Sequence, residues 1–243
     1  MQDIKHETME IGRFKINLPI NLPKVLNTPV RDSYQDFLQG STKDVRRHLT
    51  AVCSLLPPVI TDTKAKNFLH AFGGVGATAQ VIDQVHPAAH HTFWDRDPIL
   101  VEYLTEWRPD NVKLVPNSFV EFLSMTKQEL NYYDALLMDM SVGTIKTDGV
   151  KAMWAAIGQW MRPDTFAWFT DTACHKIHLN YKTYAKDFNR DIAPTAEDYL
   201  AAYSEWLTRE HGLVITSAMR EAGEFYCVVR SSGHQRFSTI PYL

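Results

Sequence analysis

Three glycines close an apolar run in FLHAFGGVGATAQVI, where Gly73, Gly74 and Gly76 follow His70 and Phe72 and lead into a segment with helical spacing. Glycines at such a junction let the backbone turn sharply and come close to a bound group, while the amides of the next helix N-terminus face it. The same three residues also suit a plain tight connection between a strand and a helix. About 20 residues further on, FWDRDP puts Asp95 at the end of a second apolar run, where a carboxylate can accept from both hydroxyls of a ribose. Asp97 is better placed for the lesser task of capping the helix that opens at Pro98. A third run, YYDALLMD, ends in Asp139, which can orient an acceptor group or take its proton. TDTACHKIHLNYKTYAKDFNRDIAP then gathers Asp171, Cys174, His175, Lys176, His178, Tyr181 and Lys182. Cys174, His175 and His178 lack the second paired cluster of a structural zinc site, so no metal is expected. His175, His178, Tyr181 and Lys182 suit an acceptor-binding loop, where they can hydrogen-bond, shuttle a proton or meet an anion. They equally suit a solvated surface loop.

The elements that must hold these groups follow from periodicity. Short apolar, β-branched or aromatic runs alternate with longer amphipathic ones from about residue 67, the pattern of a βαβ succession. Strands are expected at 67 to 72, 90 to 95, 112 to 116, 133 to 139, 165 to 171, 213 to 219 and 224 to 229. Helices are expected to begin near Ala77, Pro98, Val120, Val150 and Thr195. Only REAGE separates the last two strands, too short for a crossover helix, so they pair as an antiparallel hairpin at one edge. The expected fold is α/β, a doubly wound and mostly parallel seven-stranded sheet with a C-terminal antiparallel hairpin. Residues 1–62 read as an extended and helical appendage or lid, with Pro57 and Pro58 closing its helical part. Residues 63–243 read as the Rossmann-like domain, with a long loop at 172–194 of the kind that usually carries function.

Composition bounds the rest. The chain has 243 residues, 45% of them hydrophobic, with 25 Lys plus Arg against 28 Asp plus Glu and a formal charge of -3. Disorder, repeat arrays and a globally basic nucleic-acid binder are excluded. By segments, residues 1–50 and 172–194 each carry a formal +2, so the two acceptor-side pieces are the positive ones. Cys53, Cys174 and Cys227 are odd in number and widely spaced, which fits a reducing compartment. The first residues lack the apolar core of a signal peptide and no run is long enough to span a membrane, so a cytoplasmic protein is expected.

The order of elements over roughly residues 65 to 230, with these motifs, resembles the class I S-adenosylmethionine-dependent methyltransferases. HAFGGVGA resembles the family's first motif, with His70 where the family carries the acid that meets the methionine amino group. The resemblance implies that His70, Phe72, Gly73, Gly74 and Gly76 line the methionine side. FWDRDP is similar to the second motif, with Asp95 as the implied ribose acid. VKLVPNSFVEFL is similar to the third, which places Asn117 and Ser118 near adenine. In YYDALLMDMSVG, similar to the fourth, Asp139 would face the sulfonium and the acceptor. The implied cofactor is S-adenosylmethionine. A nicotinamide dehydrogenase is disfavoured, because the glycines lack GxGxxG order.

The acceptor is less legible. DALLMDM together with EFY resembles the RNA 2′-O-methyltransferases, which implies an acceptor-side role for Glu224, although Thr170 and Asp171 stand where that family has a lysine. With the positive segments, this leans toward a nucleotide, a nucleic acid or another anionic acceptor. SFVEFLSMTKQELNYYDALLMD is also similar to the polyamine aminopropyltransferases, which share the fold. A reading from another class is a cofactor-binding but noncatalytic partner subunit, since His70 and Ser118 replace family acids. Oligomeric state is not readable from the chain.

Overall fold

The computed structural model of the chain describes residues 4–19, 42–71, 74–95, 98–107, 111–114, 127–141, 147–171, 195–221 and 224–233. Chain order gives a hairpin β1 (His6–Ile11) and β2 (Phe14–Pro19), then α1 (Thr42–Thr63), β3 (Asn67–Ala71), α2 (Ala77–Val85), β4 (His90–Asp95) and α3 (Pro98–Trp107). There follow β5 (Asn111–Leu114), α4 (Lys127–Leu130), β6 (Ala135–Ser141), α5 (Thr147–Trp160), β7 (Phe166–Asp171), α6 (Ala196–His211), β8 (Leu213–Glu221) and β9 (Glu224–Ser231). The main sheet has seven strands in the order β5-β4-β3-β6-β7-β9-β8, with β9 antiparallel to both β7 and β8 and the other pairs parallel. The doubly wound sheet with a closing hairpin is therefore as expected. The helix expected near Val120 falls largely outside the described residues, and α5 begins at Thr147, ahead of Val150.

Period two along the central strands explains both cores. Leu69, Ala71, Leu136, Met138, Ala167 and Phe169 face α5 and α6, while Phe68, Ala135, Leu137, Phe166 and Trp168 face α1, α2 and α3. Phe166, Ala167, Trp168 and Phe169 are all fully buried, because helices cover both faces of a parallel sheet.

The N-terminal residues hold two surprises. The hairpin β1–β2 forms a separate two-stranded sheet closed by Gly12 and Arg13, with Gly12 at φ 55° as a two-residue turn of this hand demands. Its buried residues Phe14, Ile16 and Leu18 join the cluster shared by α1, α2 and the sheet. Two glutamines of α2 act as a partner strand for β2. Gln80 accepts from the Asn17 amide at 2.8 Å and donates to the Asn17 carbonyl at 2.8 Å, and Gln84 does the same for Lys15 at 3.0 and 2.8 Å. The fit is metric: four helical residues rise about 6 Å, close to the roughly 6.7 Å of two strand residues.

The second surprise corrects an expectation. Pro57 and Pro58 do not close the helical segment; α1 runs through both to Thr63. An interior proline costs about 3 kcal/mol, but Leu49, Val52, Leu55, Leu56, Val59 and Ile60 are buried on one face across the break, each contributing about 1.5–3 kcal/mol. Thr61 and Thr63 also donate to the carbonyls of Pro57 and Val59. Buried Arg230 on β9 then fixes the end of this helix by donating to Asp62 and to the Pro163 carbonyl.

Candidate functional site

Strand order reverses between β3 and β6, and in an open α/β sheet ligands bind beyond the carboxyl ends of the strands at such a point. The turn that leaves β3 there contains Gly74 at φ 53° and Gly76 at φ 70°, both in the left-handed region that favours glycine. Gly76 is the N-cap of α2 and has no side chain to offer the first-turn amides, which leaves their capping to a ligand, water or backbone.

Asp95 ends β4, the strand beside β3, and is 5% exposed. Alternation puts it on the same face of β4 as His91 and Phe93. His70, one residue from the end of β3, is fully buried and stacks on Phe93 with centroids 4.5 Å apart and planes at 18°. Its Nε2 lies 2.8 Å from His91 Nδ1, and His91 Nε2 lies 2.9 Å from Asp83 Oδ1 on α2. His91 in turn stacks on Phe68 at 5.5 Å. Where the first motif suggested a lone histidine replacing an acid, the fold builds a chain of two imidazoles ending on a carboxylate. The sequence reading missed His91 and Asp83. The HH pair opening β4 was the available signal, since period two puts His91 on the face that His70 occupies on β3.

β6 carries Asp139, and its pairing with β7 slips there: Met138 is level with Phe169 and Ser141 with Thr170, so Asp139 and Met140 form an irregularity at the carboxyl end of the strand. Irregularities of this kind commonly re-aim residues beside active sites.

No family model and no curated protein matches the chain. Solved structures do match. Mitomycin 7-O-methyltransferase MmcR superposes with a TM-score of 0.53 at 15% identity, over 84% of this chain and 58% of that one. DhpI in its SAH complex gives 0.52 at 15% identity over 83% and 92%. The O-methyltransferase NcsB1 of neocarzinostatin biosynthesis, in complex with S-adenosylmethionine and 2-hydroxy-5-methyl naphthoic acid, gives 0.51 at 13% over 84% and 63%. The chain has the class I methyltransferase fold. It spans 58% of the length of the mitomycin enzyme and 63% of NcsB1.

Within the methyltransferase fold, β9 runs against β7, so its first residue lies at the sheet edge where β7 ends. That residue is Glu224, half-buried, accepting a hydrogen bond from the Tyr226 hydroxyl at 2.9 Å. Tyr226 also meets the rings of Trp168 and His48, the latter reaching over from α1. The predicted residues Phe72, Gly73, Asn117, Ser118, His175, His178, Tyr181 and Lys182 lie outside the described residues, as does Cys174. The two described cysteines make poor nucleophiles: Cys227 is buried in β9, and burial pushes the Cys53 thiol up to about 12. Among the described residues no group of three His, Cys, Asp or Glu is placed to hold a metal ion, and no helix is long and apolar enough to cross a membrane.

The described residues fit an S-adenosyl group. Asp95 puts a carboxylate, an acceptor that suits the two hydroxyls of a ribose, at the carboxyl end of β4. The left-handed glycines leave the backbone without side chains where the group would approach.

Proposed function

We propose that the chain is an S-adenosylmethionine-dependent methyltransferase. The observation that carries the reading is the buried Asp95, set at the end of β4 beside the Gly74–Gly76 turn at the point of strand reversal. Asp95 accepts from the ribose hydroxyls, the turn and the first amides of α2 cradle the methionine side, and His70 stands at its inner end. The cofactor supplies a methyl group already activated by a sulfonium. What remains for the protein is to line up the acceptor and to receive its proton. Asp139 at the irregular end of β6 has that role, and Glu224 with Tyr226 borders the acceptor side. Phe72, Gly73, Asn117 and Ser118 complete the cofactor site in this reading, and His175, His178, Tyr181 and Lys182 contribute to the acceptor.

An oxygen acceptor is supported by the O-methyltransferases among the similar folds. A nucleotide or nucleic acid rests on the positive segments and on the partial resemblance of DALLMDM and EFY to the RNA 2′-O-methyltransferases, and a polyamine acceptor on local sequence similarity.

Titration of the purified chain with S-adenosylhomocysteine by calorimetry tests the reading. Binding that is lost in Asp95→Ala is the expected result, and no binding to the unaltered chain sinks it. Preference for decarboxylated over intact S-adenosylmethionine would move the chain to aminopropyl transfer. Methylation of a small-molecule panel with labelled cofactor, run beside RNA and DNA, identifies the acceptor class. Full inactivity on every acceptor, with binding intact, would favour a noncatalytic partner subunit.

A further inference from the structure

Thr170 stands one residue short of the carboxyl end of β7, and alternation turns it to the face that holds Phe166 and Trp168. It is 6% exposed, yet its hydroxyl meets no hydrogen-bond partner among the described residues. Thr165, just ahead of the amino end of the same strand, shows how the fold treats a hydroxyl that it uses for itself: it accepts from the Arg162 amide at 2.8 Å and donates to the Arg162 carbonyl at 3.0 Å. A hydroxyl buried without a partner costs stability. The packing of β7 therefore gives no reason for a threonine at 170, where valine would fill the same space.

The neighbours of Thr170 supply one. On one side, the slip in β6 sets Ser141 level with Thr170, so the irregular stretch at Asp139 and Met140 ends beside it. On the other, Tyr226 of β9 lies directly opposite on the same face, and residues so paired have Cβ atoms about 4.5–5.5 Å apart. Glu224, two residues away on β9 and on this face again, accepts from the Tyr226 hydroxyl with Oε2, and its Oε1 has no partner among the described residues. Across the hairpin Glu224 is paired with Glu221, a second acid and not a cation. From α1, the His48 ring reaches over the group and meets Tyr226 at 5.7 Å and 62°. Two unspent groups thus share one face where β7 ends and β9 begins: a hydroxyl that can donate or accept, and a carboxylate oxygen that can only accept.

We propose that Thr170 is an acceptor-binding residue that, together with Glu224, selects an uncharged, hydroxylated small molecule. One hydroxyl of that molecule donates to Glu224 Oε1 and a second oxygen meets the Thr170 hydroxyl. The inference rests on the methyltransferase reading above and narrows its acceptor. A phosphate at this place would face the Glu224 carboxylate as a like charge, with a single neutral hydroxyl to hold it.

Methyl transfer by the full chain from labelled S-adenosylmethionine tests this, with catechol, glycerol and adenosine as acceptors beside the monophosphate of each. At least one uncharged member is expected to be methylated and its monophosphate not. Thr170→Val is expected to raise KM for that acceptor about tenfold, the scale of one hydrogen bond, with kcat and the affinity for S-adenosylhomocysteine within about twofold, and Thr170→Ser to restore KM. Because the hydroxyl has no partner in the fold, the denaturant midpoint of Thr170→Val is expected to be unchanged or higher. A lower midpoint assigns Thr170 to the fold and overturns the proposal, as does a KM indifferent to Thr170→Val. Preference for a monophosphate, or no transfer to any uncharged member, overturns the acceptor class. Failure of the unaltered chain to bind S-adenosylhomocysteine overturns the methyltransferase reading itself, whereas intact binding with any of the preceding failures overturns only the role of Thr170 and Glu224.

Discussion

The two faces of the central sheet bury different chemistry. Toward α5 and α6 the interior is aromatic, and several of its polar atoms pair locally: the Trp154 indole donates to the Tyr203 hydroxyl at 2.5 Å, the Trp160 indole to the Leu130 carbonyl at 2.8 Å, and Trp154 sits edge-on to Phe169. Toward α1, α2 and α3 the sheet buries His70, His91 and Asp95 in addition to its apolar residues. Burying ionisable groups costs stability unless each is satisfied. Both faces have an extensive apolar core, and only one of them adds ionisable groups that burial alone would not select. The contrast locates function independently of any motif.

If the division is real, substitutions on the two faces should separate stability from binding. The largest effect is expected for Trp154→Ala, which opens a cavity in the aromatic layer and should cost about 3–5 kcal/mol in denaturant unfolding, with the affinity of the remaining folded protein for S-adenosylhomocysteine unchanged. Loss of affinity in the folded fraction would break the comparison. Asp95→Ala should do the reverse. Removal of two charge-assisted hydrogen bonds is expected to weaken S-adenosylhomocysteine about a hundredfold, with a smaller loss in denaturant unfolding than Trp154→Ala shows.

A smaller effect sharpens the picture on the α2 side. Gln80→Ala removes both hydrogen bonds to Asn17 and should cost about 1–2 kcal/mol, seen as earlier proteolysis within residues 6–19 rather than as altered binding. The smallest is a pH effect on the aromatic side. His211 ends α6 with its ring edge-on to Trp206, its Nε2 finds no hydrogen-bond partner among the described residues, and burial lowers its pKa from the usual histidine value. The unfolded chain then binds the proton more readily than the folded one. The contribution is full above the unfolded value of about 6.5 and is lost as the pH falls below it. His211→Phe should flatten that acid-side loss in a series of unfolding curves, and an unchanged slope would remove His211 from the account.

The strands of the main sheet were legible because β3, β6 and β7 are apolar on both faces, a signal that survives without any tertiary information. The place of Asp95 at the end of β4 was legible for a related reason, since it closes such an apolar run. The hairpin β1–β2 was not, because β1 is mostly exposed and its turn is made by Gly12 and Arg13 rather than a stronger turn pair. The path of α1 through Pro57 and Pro58 was hidden because local propensity opposes it and only the buried face, known from the fold, outweighs the two prolines. The Asp83–His91 contact joins a helix to the following strand, and nothing in the spacing of eight residues says that the two side chains meet. The slip of β6 at Asp139 likewise depends on how β7 registers against it, which a single strand cannot reveal.

The glutamine pairing on α2 has a consequence for behaviour in a crowded solution. A two-stranded ribbon outside the main sheet would ordinarily present a row of backbone donors and acceptors to any extended chain that drifts past. Here the Gln80 and Gln84 amides occupy Asn17 and Lys15 on the outer side of β2, and Arg46 donates to the Glu10 carbonyl of β1 at 3.2 Å. Side chains of the same molecule thus fill places that would otherwise recruit a neighbour's strand, and the ribbon is kept from seeding intermolecular sheets.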